Sequence, residues 1–338
     1  MDFPALSVDV PPQAWTGRFD GDGEAHRRWW QAVTPYAEAR QDRSPLLADP
    51  PVRVTAAAGA GSPSSAGRPA VVLGFCSDEG VRRNKGRTGA AKAPAAIRRA
   101  LGPLAFHLDR RVLDAGDVAV RDGELEAGQA RAGHAVSALL DAGNLTVLLG
   151  GGHETAFASY LGVAGAEAVR GGKRWGVLNL DAHFDLRDEA APSSGTPFLQ
   201  MAQAEAAAGR ALKYAVVGIS EPNNTGALFA AADRLGVKYL LDEESTPEAA
   251  QAFVADFLAD IDALYLTIDL DVLPAAVAPG VSAPAAFGVP LPVVTAVCRQ
   301  AAASGKLLHV DVAELNPAFD IDNRTARVAA RLINTLLA

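Results

Sequence analysis

Residues 175–185 read WGVLNLDAHFD, a largely apolar run of six residues followed by alternating polar and apolar side chains. The run is short and does not alternate, so it predicts a strand at 175–180 that is buried on both faces, as in a parallel sheet. Alternate residues of an extended segment point the same way. Asp181, His183 and Asp185 are therefore expected to converge on one point where the strand ends.

Similar apolar runs recur on both sides of this segment and alternate with Ala-rich helical stretches. They predict strands at residues 70–75, 145–149, 175–180, 214–219, 238–241, 263–268 and 307–312, with a further one near 111–113. Helices are predicted at residues 91–101, 124–142, 154–168, 197–208, 226–235, 247–260, 292–303 and 324–337. The alternation predicts an α/β fold, a single three-layer α/β/α domain with a mainly parallel sheet of about eight strands. Ligands of such sheets bind at the carboxyl ends of the strands.

The domain is predicted to span residues 69–338. Residues 1–68 form an N-terminal extension that ends in a Gly/Ala/Ser-rich linker, AAAGAGSPSSAGRP at 55–68. This extension either covers the site or serves an interface, and the sequence does not choose between these roles.

Composition and charge restrict the class of protein. The 338 residues carry a net charge of −8, which argues against nucleic acid as a partner because no basic stripe is present to neutralise phosphates. Two cysteines, Cys76 and Cys298, are too few for a disulfide framework and fit a reducing compartment. Residues 275–298 lack charge, but their prolines and glycines would break a membrane helix, so we expect a buried loop leading into a helix. With no secretory signal at the N-terminus, the sequence predicts a soluble cytoplasmic protein that does not bind membranes.

Two other predicted strands end in metal-ligand side chains. The strand at 263–268 leads into Asp269 and Asp271, and the strand at 145–149 leads through three glycines to His153. A single Asp after a strand is usually a helix cap and a lone His usually packs, but three such clusters are hard to explain by capping. Four carboxylates and two imidazoles suit two divalent ions, manganese rather than tetrahedral zinc. Two ions can share a water and lower its pKa.

A fourth strand end carries two further acids. Asp311 and Glu314 lie in the segment DVAELNP at 311–317, where Asn-Pro ends the strand in a turn. Asp311 is interpreted as a hydrogen-bond acceptor that supports the site. Glu314, taken alone, is better explained as a solvated loop acid.

Together these motifs resemble the ureohydrolase superfamily of arginases and agmatinases. The resemblance runs from about residue 70 to residue 337 and rests on GGGHE at 150–154, NLDAHFD at 179–185, TIDLD at 267–271 and DVAELNP at 311–317. It implies an arginase-like metallohydrolase domain that acts on a small molecule. It also implies two manganese ions per chain, bound by His153, Asp181, His183, Asp185, Asp269 and Asp271. Glu314 would then face the cationic amidine or guanidine group of the substrate. Homo-oligomers are common in this superfamily, although the sequence does not specify a subunit arrangement.

Within the superfamily the chain is most similar to the formimidoylglutamases. The similarity rests on WTGRFD at 15–20 with RWWQ at 28–31, the segment at 74–101, AHFDLR at 182–187 with SSGTPF at 193–198, and PGVSAPAAFGV at 279–289. It implies hydrolysis of N-formimidoyl-L-glutamate to L-glutamate and formamide in histidine degradation. The alternatives are an agmatinase or guanidino-acid hydrolase that releases urea and, less favoured, a catalytically silent metabolite-binding protein.

The candidate substrate contacts are mostly basic, because the implied substrate has two carboxylates. Arg187 lies two residues after Asp185, and its guanidinium can bind a carboxylate through two hydrogen bonds. The remaining candidates lie at other strand ends or nearby loops: Arg82, Arg83, Arg87, Ser194 and Asn224. A solvated basic loop explains the three arginines of the 82–87 segment equally well. Phe198 stands where arginases carry a proton-shuttling histidine, so Asp185 is the candidate for carrying a proton to the leaving amine.

Overall fold

The computed structural model describes residues 5–41 and 67–338, and within them a nine-stranded sheet forms the centre of the molecule. Its strands are β1 (Thr34–Pro35), β2 (Ala70–Cys76), β3 (Val112–Ala119), β4 (Leu145–Leu149), β5 (Trp175–Leu180), β6 (Tyr214–Ile219), β7 (Lys238–Leu241), β8 (Ala263–Asp269) and β9 (Leu307–Ala313). All neighbouring strands are parallel, in the order β1-β3-β2-β4-β9-β8-β5-β6-β7. The eight predicted strands are confirmed. The two-residue β1 was not predicted, because so short a pairing leaves no hydrophobic pattern.

Helices cover both faces of the sheet. They are α1 (Trp29–Ala32), α2 (Tyr36–Gln41), α3 (Glu79–Arg83), α4 (Ala93–Leu101), α5 (Leu125–Asp141), α6 (Thr155–Gly165), α7 (Glu167–Arg170), α8 (Pro197–Ala207), α9 (Gly226–Leu235), α10 (Pro247–Ala259), α11 (Leu291–Ala303) and α12 (Arg324–Leu337). Helices α4, α10, α11 and α12 pack together on one face, and α5, α6 and α8 on the other. The predicted three-layer α/β/α architecture is therefore confirmed.

Burial on both faces explains why the strands read as continuous apolar runs. In β4, Leu145, Val147 and Leu149 belong to the core beneath α4 and α12, whereas Leu148 belongs to the core beneath α5 and α6. All three core clusters combine strand residues of this kind with apolar residues of the covering helices and loops, and their members are at most 9% exposed. A polar side chain within such a strand would lose its hydration. Polar residues are therefore expected near the strand ends or in hydrogen-bonded networks.

The described part of the N-terminal extension packs against the sheet edge. Strand β1 pairs with β3, and the backbone of Asp9 and Val10 bonds to Asp117 of β3. Trp29 is fully buried and stacks on Trp15. Most of the predicted linker, residues 55–66, lies outside the described residues, and the domain boundary at 68/69 stays a prediction.

The uncharged segment forms a loop followed by a helix, as predicted, but the loop is buried only in part. Ala278, Val281 and Val289 are fully buried, whereas Phe287 is 71% exposed, and α11 begins at Leu291. None of the helices in the described ranges is long and apolar enough to cross a membrane. This loop follows β8 and so lies at the carboxyl edge of the sheet, where the candidate site is located.

Candidate metal centre

Four adjacent strands in the middle of the sheet carry the candidate motifs. Their order is β4-β9-β8-β5, and these strands lead into His153, Glu314, Asp269 and Asp181. In the pairing of β5 with β8, Leu180 is level with Ile268, so Asp181 and Asp269 emerge side by side. The sequence pattern gave each strand end its ligands, and the strand order brings those ends to one place.

The first group of ligands surrounds the imidazole of His153. Its Nδ1 atom lies 2.9 Å from Asp185 Oδ2, 3.1 Å from Asp181 Oδ2 and 3.2 Å from Asp269 Oδ2. His153, Asp181 and Asp269 are buried and offer ligand atoms that all lie within 4.8 Å of one another. This is the spacing of a group that could hold a divalent ion.

The second group shares Asp181 with the first. Asp181, His183 and Asp271 also offer ligand atoms within 4.8 Å of one another, and His183 Nδ1 lies 3.1 Å from Asp271 Oδ2. Two groups that share a carboxylate would be able to hold two ions, with Asp181 contributing to both groups. The structure thus brings all six predicted ligands together, and their assignment as ligands stays a prediction.

The turns after β5 and β8 also contain the capping contacts of ordinary strand ends. Asp181 Oδ1 accepts a hydrogen bond from the backbone N–H of His183 at 2.7 Å, and Asp269 Oδ1 accepts one from Asp271 N–H at 2.8 Å. The capping interpretation therefore accounts for one oxygen of each carboxylate. The other oxygen of each, Oδ2, faces His153.

Backbone conformation at the site is unusual in two places. Asp185 has φ 49° and Glu314 has φ 68°, in the left-handed region that non-glycine residues rarely occupy. Such conformations cost on the order of 1–3 kcal/mol and concentrate at functional sites. The glycine turn before His153 has a steric reason, because a Cβ on Gly151 would lie 1.7 Å from the Ser77 carbonyl oxygen.

The buried carboxylates of the site are crowded, and bound cations would stabilise their charged forms. Burial and the neighbouring Asp181 raise the pKa of Asp185 to about 6, and burial with Asp271 raises the pKa of Asp269 well above its usual range. Burial opposes a charged His153, yet hydrogen bonds to Asp181 and Asp185 raise its pKa well above normal. Crowded buried carboxylates repel one another unless positive charge lies between them. The donor set therefore fits two divalent ions that prefer oxygen and nitrogen ligands.

Glu314 lies against the first ligand group. Its Oε1 accepts a hydrogen bond from the backbone N–H of His153 at 2.8 Å, and its buried Oε2 has no hydrogen-bond partner among the described residues. Only 5% of the residue is exposed, so the solvated-acid interpretation is wrong. Burial raises its pKa to about 8, and the carboxylates of Glu154 and Asp271 act in the same direction. A cation placed against Oε2 would favour the charged form.

Asp311 lies behind the site, fully buried. Its carboxylate accepts hydrogen bonds from the hydroxyls of Ser159, Tyr265 and Thr267. Thr267 in turn lies 2.9 Å from Nε2 of His153. Asp311 therefore occupies the supporting position that its place in the sequence suggested.

Three of the four candidate arginines are held by protein groups. Arg82 and Arg83 form salt bridges with Glu79, and Arg83 also pairs with Glu126. Arg87 donates to the backbone carbonyl oxygens of the loop at 281–282. These contacts make Arg83 and Arg87 part of the protein framework around the site. The predicted contact of Arg82, Arg83 and Arg87 with substrate stays a prediction.

Arg187 differs from the other three. It is exposed, and its side chain makes no hydrogen bond or ion pair with the residues that the structure describes. Its aliphatic part passes close to Gly195, where a Cβ would lie 2.7 Å from Arg187 Cδ and 3.3 Å from Asn84 Nδ2. Asn84 donates a hydrogen bond to Ser194 Oγ at 3.0 Å. Arg187, Ser194 and Asn84 thus form a polar patch, which we call the rim patch.

The last substrate candidate, Asn224, and the residue at the arginase shuttle position, Phe198, both have structural contacts. Asn224 accepts from the backbone N–H of Phe184 and donates to the carbonyl oxygens of Ala182 and Ser220, which anchors the loop between the ligands of the second motif. Phe198 stacks on Tyr214 at 4.3 Å and lies edge-on to His153 at 5.4 Å. The position aligned with the arginase proton shuttle is thus a packing residue, and the substrate role of Asn224 stays a prediction.

Sequence reasoning did not single out three polar residues of the site. Thr267 precedes Asp269 by two residues and so lies on the same face of β8. The alternation of side chains along a strand could therefore have identified Thr267 from the sequence. Glu154 follows His153 directly, and its buried carboxylate accepts from Ser77 Oγ and Gly80 N. Asn84 gave no local signal, because only the fold brings it to Ser194.

Comparison with known proteins identifies the class to which this fold and ligand set belong. A model of the arginase family matches residues 68–338. The chain belongs to the arginase family. In the crystal structure of Trypanosoma cruzi formiminoglutamase with Mn²⁺, 92% of that chain superposes on 80% of this one with a TM-score of 0.72 and 26% identity.

Full-length relatives refine the assignment within the family. The chain is 55% identical over 327 residues to the formimidoylglutamase of Nocardia farcinica (strain IFM 10152), covering 97% of this chain and 96% of that protein. It is 48% identical over 333 residues to the formimidoylglutamase of Aeromonas hydrophila, covering 97% and 98%. The chain therefore groups with the formimidoylglutamases, which supports a hydrolase function at a two-metal site.

Proposed function

We propose that this chain hydrolyses N-formimidoyl-L-glutamate to L-glutamate and formamide, with two manganese ions bound per chain. The observation that carries the proposal is the pair of ligand groups that share Asp181, with Glu314 beside them and Arg187 at the rim. The reaction adds one water across the formimidoyl carbon and breaks its bond to the glutamate nitrogen. We also propose that the enzyme acts in histidine degradation in the cytoplasm, a compartment consistent with its free thiols.

The ions would be held by His153, Asp181, His183, Asp185, Asp269 and Asp271. Once bound, two manganese ions supply a water of lowered pKa, and with it hydroxide near neutral pH. Four of these ligands are buried and His183 and Asp185 are partly buried, which limits solvent access, and carboxylates at this density balance the charge of divalent ions. Manganese is preferred because the donor set holds oxygen and nitrogen atoms but no sulfur.

Glu314 would bind the cationic formimidoyl group. One oxygen of its carboxylate is fixed by the backbone N–H of His153, which leaves Oε2 free to accept from an N–H of the substrate. The formimidoyl group is planar and donates from two nitrogens, so a buried carboxylate is its natural partner. This contact would place the carbon beside the ligand groups.

Asp185 would carry a proton to the departing amine. Its Oδ2 atom lies 2.9 Å from His153 Nδ1, so the carboxylate lies beside the first ligand group. A carboxylate within hydrogen-bond reach of the reacting group can pass a proton to it. The left-handed backbone at this residue supports a functional assignment.

Arg187 would bind a carboxylate at the glutamate end of the substrate. Among the candidate arginines its side chain alone lacks a salt bridge or hydrogen bond to the described parts of the chain, so its guanidinium is available to a ligand. The neighbouring Ser194 and Asn84 add hydrogen-bonding groups on the same side. Guanidinium and carboxylate form paired hydrogen bonds that are stronger than those between neutral groups.

The test is a comparison of products. Purified protein loaded with manganese is supplied in parallel with N-formimidoyl-L-glutamate, agmatine and guanidinobutyrate, and formamide, glutamate and urea are measured. We expect formamide and glutamate in equal amounts from the first substrate and little urea from the others. Efficient urea release would instead indicate a hydrolase of guanidino compounds. Absence of every product with both ions bound would indicate a catalytically silent metabolite-binding protein.

A further inference from the structure

A buried chain of hydrogen bonds runs from the candidate ligand His153 away from the ligand groups. Thr267 Oγ1 lies 2.9 Å from His153 Nε2 and 2.6 Å from Asp311 Oδ1. Both distances are those of good hydrogen bonds. We call His153, Thr267 and Asp311 the relay. All three residues are essentially inaccessible to solvent, so each polar atom must find its partner within the protein.

The direction of the relay follows from its donor count. A carboxylate only accepts hydrogen bonds, and a threonine hydroxyl has a single proton to donate. Ser159 and Tyr265 hydroxyls occupy Asp311 Oδ2, whereas Thr267 is the one hydroxyl recorded on Oδ1 among the described residues. If Thr267 donated to His153 instead, two unprotonated oxygens would face each other at 2.6 Å. The Thr267 proton therefore points to Asp311.

We infer that Thr267 is a positioning residue that holds His153 in the Nε2–H tautomer and so turns the Nδ1 lone pair toward the proposed metal site. Because the Thr267 hydroxyl donates its proton to Asp311, its oxygen can only accept a hydrogen bond from the Nε2–H of His153. The other ring nitrogen, Nδ1, is the atom that lies within 3.2 Å of Asp181, Asp185 and Asp269. A neutral imidazole binds a metal through its unprotonated nitrogen, and an outer partner that fixes the tautomer strengthens that bond.

The inference rests on the metal-dependent function proposed above and concerns one ion more than the other. His153 belongs to the first ligand group and not to the second. Loss of the relay should therefore weaken mainly the first site. Outer partners of this kind typically change metal affinity by about ten- to a hundred-fold.

The chain contains a matched control. Thr146 on β4 lies 2.6 Å from Nδ1 of His309, a second buried threonine–histidine pair on neighbouring strands. His309 is fully buried and takes no part in either ligand group. Thr146→Val removes the same kind of hydrogen bond from the same sheet, so it reproduces the loss of stability without touching the relay.

The experiment measures manganese binding directly. Wild type, Thr267→Val, Thr267→Ser and Thr146→Val are freed of metal and titrated with Mn²⁺, while free Mn²⁺ is followed by electron paramagnetic resonance and stability by thermal unfolding. We expect wild type, Thr267→Ser and Thr146→Val to bind two ions with similar affinity. Thr267→Val should bind one ion about ten- to a hundred-fold more weakly.

Three outcomes would overturn the inference. Binding by Thr267→Val that equals wild type would show that the hydroxyl does not act on the site, and equal weakening by Thr146→Val would show a general loss of stability. A Thr267→Ser variant as weak as Thr267→Val would show that the methyl group, not the hydroxyl, matters. Failure of wild type to bind manganese would instead overturn the proposed function on which the inference rests.

Discussion

The backbone N–H of His153 donates a hydrogen bond to the Glu314 carboxylate at 2.8 Å, which ties the end of β4 to the end of β9 across the candidate site. The residue proposed to hold an ion and the residue proposed to hold the substrate are thus fixed to each other. Because the carboxylate oxygen that accepts this bond is not the one left without a hydrogen-bond partner among the described residues, the two roles can be separated by substitution.

Glu314→Gln should keep metal binding and lose turnover. The amide oxygen can still accept from His153, so the backbone contact and the ligand geometry are retained. The variant removes the negative charge that faces the cationic substrate, and loss of a preorganised electrostatic contact typically lowers kcat by about a hundred-fold or more. Metal content and kcat are measured on the same preparation, and a variant that loses its manganese would show that Glu314 has a structural role.

Asp181→Asn should abolish activity and metal binding at both sites. Asp181 is the carboxylate that the two ligand groups share, whereas His153 belongs to one of them. We therefore expect His153→Asn to weaken mainly one site while the other still fills. Metal analysis under saturating manganese gives the stoichiometry, and a stoichiometry of two in Asp181→Asn would contradict the shared position.

The fold and the clustering of the candidate ligands could be predicted because each depends on a local pattern. The strands at 175–180 and 145–149 are continuous apolar runs, and the ligands lie at fixed offsets after them. The rim could not be predicted in the same way. Glu79 lies four residues before Arg83, a spacing that the sequence shows, but Glu126 is distant in the chain and only the fold brings it to Arg83.

The same limit applies to hydrogen bonds that cross strands. Thr267 and Asp311 are level with each other because β8 and β9 pair in that register. The sequence shows both residues as polar members of apolar runs, but only strand order makes them partners. Strand register and strand order are set by packing of the whole sheet. Analysis of one sequence segment at a time therefore cannot predict these contacts.

His309 should make the folded state sensitive to acid. Burial lowers the pKa of His309 from 6.5 to about 3. Between these two pH values the imidazole is protonated in the unfolded chain and neutral in the folded chain. The free energy of unfolding is therefore highest, as far as His309 determines it, above pH 6.5, and it declines as the pH falls from 6.5 toward 3. Between pH 7 and pH 5 the decline amounts to roughly 2 kcal/mol.

Urea unfolding at pH 7 and pH 5 checks this expectation in variants that differ at one histidine. His309→Asn removes the titrating group and should lose less stability on acidification than wild type. His134→Asn, at an exposed position on α5, should follow the wild-type pH dependence. A pH dependence of His309→Asn equal to that of wild type would show that other groups control acid sensitivity.

Arg187→Ala should impair the natural substrate far more than a neutral one. Four of the candidate ligands are aspartates, and two divalent ions would balance their charge, which leaves little positive surplus for the distal end of a dianionic substrate. A guanidinium without an ion-pair partner in the described chain can supply that charge through hydrogen bonds worth about 1.5–3 kcal/mol. Loss of the contact should lower kcat/KM for N-formimidoyl-L-glutamate by roughly ten- to a hundred-fold.

Substrate comparison separates recognition of a carboxylate from damage to the site. A formamidine that lacks both carboxylates should be hydrolysed by Arg187→Ala at nearly the wild-type kcat/KM, because it never used the guanidinium. Arg174→Ala is the matched control, since this exposed arginine pairs with Asp262 just before β5, at the opposite edge of the sheet, and it should leave both substrates nearly unaffected. Equal losses on the two substrates in Arg187→Ala would mean that the residue shapes the site, because a contact with a carboxylate cannot matter to a substrate that has none.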